Sequence, residues 1–142
     1  MTTSERLDTP HTSTAKERSP LFSALIGLAA LAVLLQGLWA GIFLGHNRQG
    51  DAATGWVTVH SRGAEVAILL AAAATVVAFV KMRDRKDLWV GSAALTVLLV
   101  LESYLGGLIV DSGKYSLTAV HVPFAMALMG LVVWLPLRAR RS

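Results

Sequence analysis

Long apolar blocks separated by short polar segments dominate the pattern of this chain. Each block is longer than 20 residues and consists mostly of Ala, Leu, Val and Ile; the blocks cover 21–44, 60–80, 88–110 and 117–137. About 20 helical residues cross the ~30 Å hydrocarbon core of a bilayer. A backbone in lipid must satisfy its own hydrogen bonds, so each block predicts one transmembrane helix. We therefore predict an all-α, four-helix transmembrane bundle with up-down-up-down topology.

The polar segments predict the domain organisation and the orientation. Residues 1–19 are rich in Ser, Thr and charge and predict a disordered tail, 20–138 form the membrane domain, and 139–142 form a basic tail. Ten of the thirteen Lys and Arg residues precede the first block, fill the turn at 81–86 or follow the last block. By the positive-inside rule, this distribution predicts a multi-pass protein of the cell (plasma) membrane with both termini in the cytoplasm.

Composition narrows the class of protein further. At 54% hydrophobic and 15% charged residues, the chain is too apolar for an ordinary soluble domain. The absence of cysteine excludes disulfides, iron–sulfur clusters, thiolate zinc sites and covalent haem attachment through CxxCH. The net charge of +4 is explained by the orienting basic residues, so the lipid bilayer is the predicted partner and nucleic acid is not.

A layer of polar residues lies at one depth in the predicted bundle. His60 opens the second block and His121 lies one turn into the fourth, while Gln36 and Glu102 lie at the same depth in the first and third. This depth is the extracytoplasmic third of the bilayer. Polar groups inside a membrane are costly and usually functional. Because all four helices contribute, the layer predicts a single site.

The two halves of the chain are weakly repeated. Gln36-Gly-Leu-Trp-Ala-Gly41 aligns with Glu102-Ser-Tyr-Leu-Gly-Gly107, and His60-Ser-Arg-Gly-Ala64 aligns with His121-Val-Pro-Phe-Ala125. A parallel repeat of this kind has its axis along the membrane normal. The bundle is thus predicted to consist of two repeated helix pairs, with the two histidines facing each other across it.

Two imidazoles at matching depth on alternate helices suit a flat cofactor held between them. We predict haem b with His60 and His121 as axial ligands, acting in electron transfer or in haem handling. Gln36 and Glu102 would bond the second ring nitrogens. Arg62, with Arg48 or Lys114, would pair with the propionates. Small residues would give clearance for the porphyrin: Gly37, Gly41, Ala64, Gly107 and Ala125.

Other interpretations of the same residues remain open. Each histidine alone is explained by capping of a helix start or by headgroup binding, and the glycines are explained by close helix packing. The chain would then be a cofactor-free accessory or assembly subunit. A small proton-coupled transporter using Glu65 and Glu102 is a third hypothesis, disfavoured because the inner two-thirds of each block is almost purely apolar.

Residues 25–137 resemble one half of haem A synthase, on the stretches Glu102-Ser-Tyr-Leu-Gly-Gly-Leu-Ile-Val110 and Ala119-Val-His-Val-Pro-Phe-Ala125. The chain is also similar to actinobacterial four-span membrane proteins. The resemblance implies a histidine pair on helices two and four, and partners in the respiratory chain or in haem biosynthesis. Val57 stands where that family's catalytic half has a glutamate, and a second bundle is missing unless a homodimer supplies it. We therefore expect no independent catalysis.

Overall fold

The structure, a computed structural model, describes residues 19–48 and 54–141. Within these ranges the chain forms four α-helices, namely α1 (Pro20–Arg48), α2 (Thr54–Lys81), α3 (Lys86–Asp111) and α4 (Thr118–Arg140). A 3₁₀ turn, Tyr115–Leu117, precedes α4. The described ranges contain no strand, which confirms the all-α prediction. The predicted tail at 1–18 lies outside them, so that prediction stays open.

The start of α1 follows from its local sequence. The hydroxyl oxygen of Ser19 accepts a hydrogen bond from the Phe22 N–H at 3.3 Å, which makes Ser19 the N-cap. Pro20 occupies the first helical position, where its missing N–H has no intrahelical partner to lose. At the other end of the bundle, Gly113 adopts φ +63° and allows the sharp turn that follows Asp111.

The four helices form a ring in which each packs against its two neighbours in chain order, and α4 closes the ring against α1. No Cα atoms of the diagonal pairs α1/α3 and α2/α4 approach within 8 Å in the described ranges. We call the end with the C-termini of α1 and α3 the histidine end, and the opposite end the basic end. The predicted four-helix, up-down-up-down bundle is confirmed.

Two helices extend further at the histidine end than the predicted spans. The first two predicted spans cover 21–44 and 60–80, but α1 continues to Arg48 and α2 begins at Thr54. Helical backbone satisfies its own hydrogen bonds whether it lies in lipid or at the interface, so a polar side chain does not end it. His46 and Trp56 therefore belong to helices.

The packed core fills the half of the bundle nearer the basic end. Its fully or nearly fully buried apolar side chains recur every three or four residues on each helix: Phe22, Ile26, Ala29, Val33, Ala67, Ala71, Ala74, Ala78, Leu88, Leu95, Leu99, Leu128, Val132, Leu135 and Ala139. Thr75 and Thr96 add a hydroxyl contact of 3.2 Å between α2 and α3. Each hydroxyl also lies within hydrogen-bond distance of a carbonyl of its own helix. Because a hydroxyl has one proton, one threonine donates to the other, and the second donates to its carbonyl.

All four helices are long and apolar enough to cross a membrane. Many large apolar side chains point outward, among them Leu34, Leu69 and Val97, each more than half exposed. A soluble protein rarely exposes apolar surface on this scale. The outward-facing side chains are compatible with contact to the lipid bilayer, as expected for a multi-pass membrane protein.

A cluster of charged groups joins three elements at the basic end. Arg85, nearly buried in the turn between α2 and α3, donates two hydrogen bonds of 3.1 Å to the carboxylate of Asp87 and one of 3.0 Å to the carbonyl of Arg138. The Arg138 Nε donates to the same carboxylate at 2.7 Å. Asp87 thus ties the start of α3 to the end of α4.

Replacing Asp87 by Asn should destabilise the bundle. The change removes the charge that neutralises Arg85, so we expect the free energy of unfolding to fall by about 1–3 kcal/mol. Thermal unfolding in detergent, followed by helical circular dichroism, measures this. Asp84→Asn is the matched control, since Asp84 is exposed in the same turn and makes no ion pair within the described ranges. Equal effects of both substitutions would contradict the role of Asp87 in joining α3 to α4.

Candidate functional site

The interior of the bundle changes character toward the histidine end. Past Val33 on α1, past Glu102 on α3 and before Leu128 on α4, no described residue is buried, and before Ala67 on α2 only Gly63 is. The helical phase of the core continues through this region on small, partly exposed residues: Ala40, Ala64, Gly106 and Ala125. This part of the bundle therefore lacks the large buried side chains that fill the half nearer the basic end.

His60 is held by α1 through one ring nitrogen. Its Nδ1 lies 3.2 Å from the backbone carbonyl oxygen of Gln36. The Gln36 amide is assigned the orientation in which its nitrogen and its oxygen both have partners. Its nitrogen donates to the His60 carbonyl at 2.7 Å and lies 3.1 Å from Nδ1 of His60. Its oxygen accepts from the Ala64 N–H at 3.3 Å. Nδ1 therefore has a partner on α1 in either tautomer. The Phe43 ring meets the His60 ring edge-on at 5.6 Å between centroids.

His121 is held by α3 through the same ring nitrogen. Its Nδ1 lies 3.0 Å from Oε1 of Glu102, whose residue is only 8% exposed. The contact is close but not aligned as a hydrogen bond, and neither carboxylate oxygen has another partner in the described ranges. A carboxylate in so apolar a place costs several kcal/mol unless it is paired. His121 is the group positioned to pair with it.

The two contacts are equivalent under the predicted repeat. In each half, Nδ1 of the histidine faces the polar residue that the preceding helix provides at the aligned position, Gln36 in one half and Glu102 in the other. Nε2 of each ring has no hydrogen-bond partner in the described ranges. His60 also lies near enough to His121 and Glu102 to interact with both electrostatically. The structure thus brings together all four residues of the predicted layer.

Gly106, rather than the predicted Gly107, gives clearance at His121. A Cβ atom on Gly106 would lie 3.4 Å from Cε1 and 4.0 Å from Nε2 of His121, whereas a Cβ on Gly107 would meet only Asp111, at 3.7 Å. The position could have been found from spacing, because Gly106 lies four residues after Glu102 and so on the same helix face. The sequence alone did not distinguish the two adjacent glycines.

The glycines of α1 and α2 differ in their surroundings. A Cβ on Gly37 or Gly41 would have no atom within 4 Å, so neither glycine contacts another helix. Gly63 is the close-approach position, since a Cβ there would overlap the Trp39 ring and the Gln36 amide. Gly63 is three residues after His60, on the same face, which is the signal that marks it in sequence.

The charged residues predicted near the propionates are not gathered at the histidines. Arg62 pairs with Glu65 at 2.8 Å on an outward face, with side chains 75% and 56% exposed. Lys114 is exposed in the turn before α4, and the Arg48 side chain lies outside the described part of the chain. The carboxylate of Glu65 is thus neutralised by Arg62.

Two further features bear on ligand binding. An apolar groove of about 240 Å³ lies between α1 and α2 and includes Trp39 and Gly63, but neither histidine. Within the described ranges, no three His, Asp or Glu side chains gather as a set of metal ligands. The donor set is therefore two imidazoles on diagonal helices, which suits a ligand that brings its own equatorial donors.

No family model, curated protein sequence or solved structure matches this chain. Its likeness to half of haem A synthase therefore stays a hypothesis that rests on the residues themselves.

Substitution of Gly63 by Ala should disturb the α1–α2 contact and the Gln36–His60 interaction together. The added methyl group forces the Trp39 and Gln36 side chains to shift, and we expect a loss of about 1–3 kcal/mol in the free energy of unfolding. Thermal unfolding in detergent measures the change. Gly37→Ala is the control; with open space at that position, it should be neutral or stabilising by up to about 1 kcal/mol. A neutral Gly63→Ala would contradict the close contact.

Proposed function

We propose that this chain is an integral membrane protein that binds one b-type haem between His60 and His121 and acts in electron transfer or haem handling. The observation that carries the proposal is the matched geometry of the two rings. Each Nδ1 contacts the preceding helix, and neither Nε2 has a hydrogen-bond partner among the residues that the structure describes. A histidine that ligates a metal characteristically bonds a carbonyl or carboxylate through its other nitrogen, which fixes the orientation of the ring.

Three observations of the chain fit a haem at this place. At the histidine end, Ala40, Ala64, Gly106 and Ala125 continue the helical phase of the core in place of large buried side chains. Gly106 lies beside the imidazole of His121, where an added Cβ atom would be 4.0 Å from Nε2. The donors are two imidazoles, which can bind iron in their neutral form, and the chain has no cysteine thiolate. This is the donor set expected for a low-spin, noncovalent haem. When bound, the haem would supply one-electron redox chemistry.

Each residue of the site would have its own role in holding the haem. His60 and His121 would be the axial ligands, while Gln36 and Glu102 would orient their rings. Gly106, Ala64 and Ala125 would leave space beside them. Arg62 would reach propionates only by leaving its pair with Glu65, so we assign it no primary role.

The orientation we propose follows from charge. Ten of the thirteen basic residues fall in the tails or in the turn at the basic end, which places that end and both termini in the cytoplasm. The haem would then lie near the extracytoplasmic face of the cell membrane. Its electron partners would be respiratory-chain or haem-handling proteins, and a homodimer would restore the eight helices of haem A synthase.

One observation favours a second candidate, a cofactor-free accessory subunit. The Gln36 amide bridges the backbone of α2 at His60 and Ala64, and Glu102 pairs with His121, so the polar layer also locks neighbouring helices together. A proton-coupled transporter fits less well, because Glu65 lies on an exposed outward face in an ion pair.

An absorbance spectrum separates these candidates. For protein made with ample haem supply, the reduced-minus-oxidised spectrum should show a sharp low-spin α-band, with about one haem per chain by pyridine haemochrome. His60→Ala and His121→Ala should each abolish that band, because bis-His coordination needs both rings. Helical circular dichroism would show whether each variant still folds.

His46→Ala is the matched control for these variants. His46 also lies near the histidine end, but its Nδ1 bonds the carbonyl of Ile42 on its own helix at 2.8 Å. Its spectrum should equal that of the unaltered protein. A featureless spectrum from the unaltered protein would refute haem binding and favour the accessory subunit.

A further inference from the structure

The two histidines differ in the charge of the group that holds them. His60 faces an uncharged carbonyl and carboxamide of Gln36, and His121 faces the carboxylate of Glu102. The difference lies at aligned positions of the repeat, so the two halves match in geometry and not in charge. Glu102 is nearly buried, with both oxygens lacking an aligned hydrogen bond in the described ranges.

We propose that Glu102 is a positioning residue that makes His121 the stronger of two unequal axial donors and sets a low reduction potential for the site. This inference rests on the proposed haem function. A carboxylate at Nδ1 increases the basicity of the imidazole, and a stronger donor favours the ferric state. The residue does not touch the iron and acts only through the ring of His121.

The surroundings of Glu102 strengthen its effect. Electrostatic interactions are stronger in a low-dielectric interior than in water, and Glu102 lies at the boundary between the apolar core and the small-residue region. No Lys or Arg is paired with it; the one salt bridge that it makes within the described ranges is with His121. The carboxylate therefore contacts the His121 ring directly and acts on His60 only at longer range. His60 has no comparable charge on α1.

The repeat offers an exchange experiment with a matched pair of substitutions. Glu102→Gln keeps the size of the side chain and removes the charge, so the midpoint potential of the haem should shift upward. Gln36→Glu places a carboxylate at the aligned position beside His60 and should shift the potential downward. The double variant moves the carboxylate from one histidine to the other, and its potential should return toward that of the unaltered protein.

Redox titration of the α-band and the low-spin ferric electron paramagnetic resonance spectrum are the two measurements. Glu102→Ala, which removes the contact altogether, should also weaken haem binding roughly 10–100-fold. Potentials that stay unchanged in both single variants, with the low-spin band intact, would overturn the inference and leave the proposed function standing. If Glu102→Gln fails to fold, Gln36→Glu alone still tests it.

The failure of the proposed function has a different signature. In that case the unaltered protein shows no α-band and no potential can be measured at all. A role of Glu102 in stability alone would lower the unfolding temperature of Glu102→Gln without moving the midpoint potential. That result would also overturn the inference.

Discussion

The absence of water inside a bilayer is the constraint on which the rest of this structure depends. Every polar group there must find its partner within the protein. The chain meets most of this requirement with helical backbone, with hydroxyls that bond carbonyls of their own helices, and with contacts between neighbouring helices at His60 and His121. Within the described ranges, the exceptions are the Glu102 oxygens and Nδ1 of His121, which lie close together without an aligned hydrogen bond. In both helix pairs, Nδ1 of the histidine is turned toward a polar group on the preceding helix.

The bundle has two regions whose interiors differ in the side chains that they contain. Toward the basic end, large apolar side chains fill the interior and the Asp87 cluster joins α3 to α4. Toward the histidine end, small residues line the interior, and stability there depends on the polar contacts. A packed half next to a half with polar side chains is an arrangement suited to holding a ligand, because binding residues need a rigid base to keep their geometry.

The two halves of the site differ in charge, because Gln36 is uncharged and Glu102 is a carboxylate. A site that needed only two identical ligands could use the same residue in both halves. A buried carboxylate is costly, and its single described partner is the ring of His121. A charge that tunes a bound cofactor would explain this cost. If the layer only joined helices, a second glutamine would serve as well.

The sequence by itself determined the helices and their order, because long apolar blocks and polar breaks leave few alternatives in lipid. It also predicted Gln36 and Glu102 as partners of the two histidines, and the structure places Gln36 beside His60 and Glu102 beside His121. Which way each side chain turns was decided only by tertiary packing. Gly106 rather than Gly107 faces His121, Gly63 rather than Gly37 meets its neighbour, and Arg62 turns outward to Glu65. One step along a helix rotates a residue by about 100°, so adjacent positions that look alike in sequence face different surroundings.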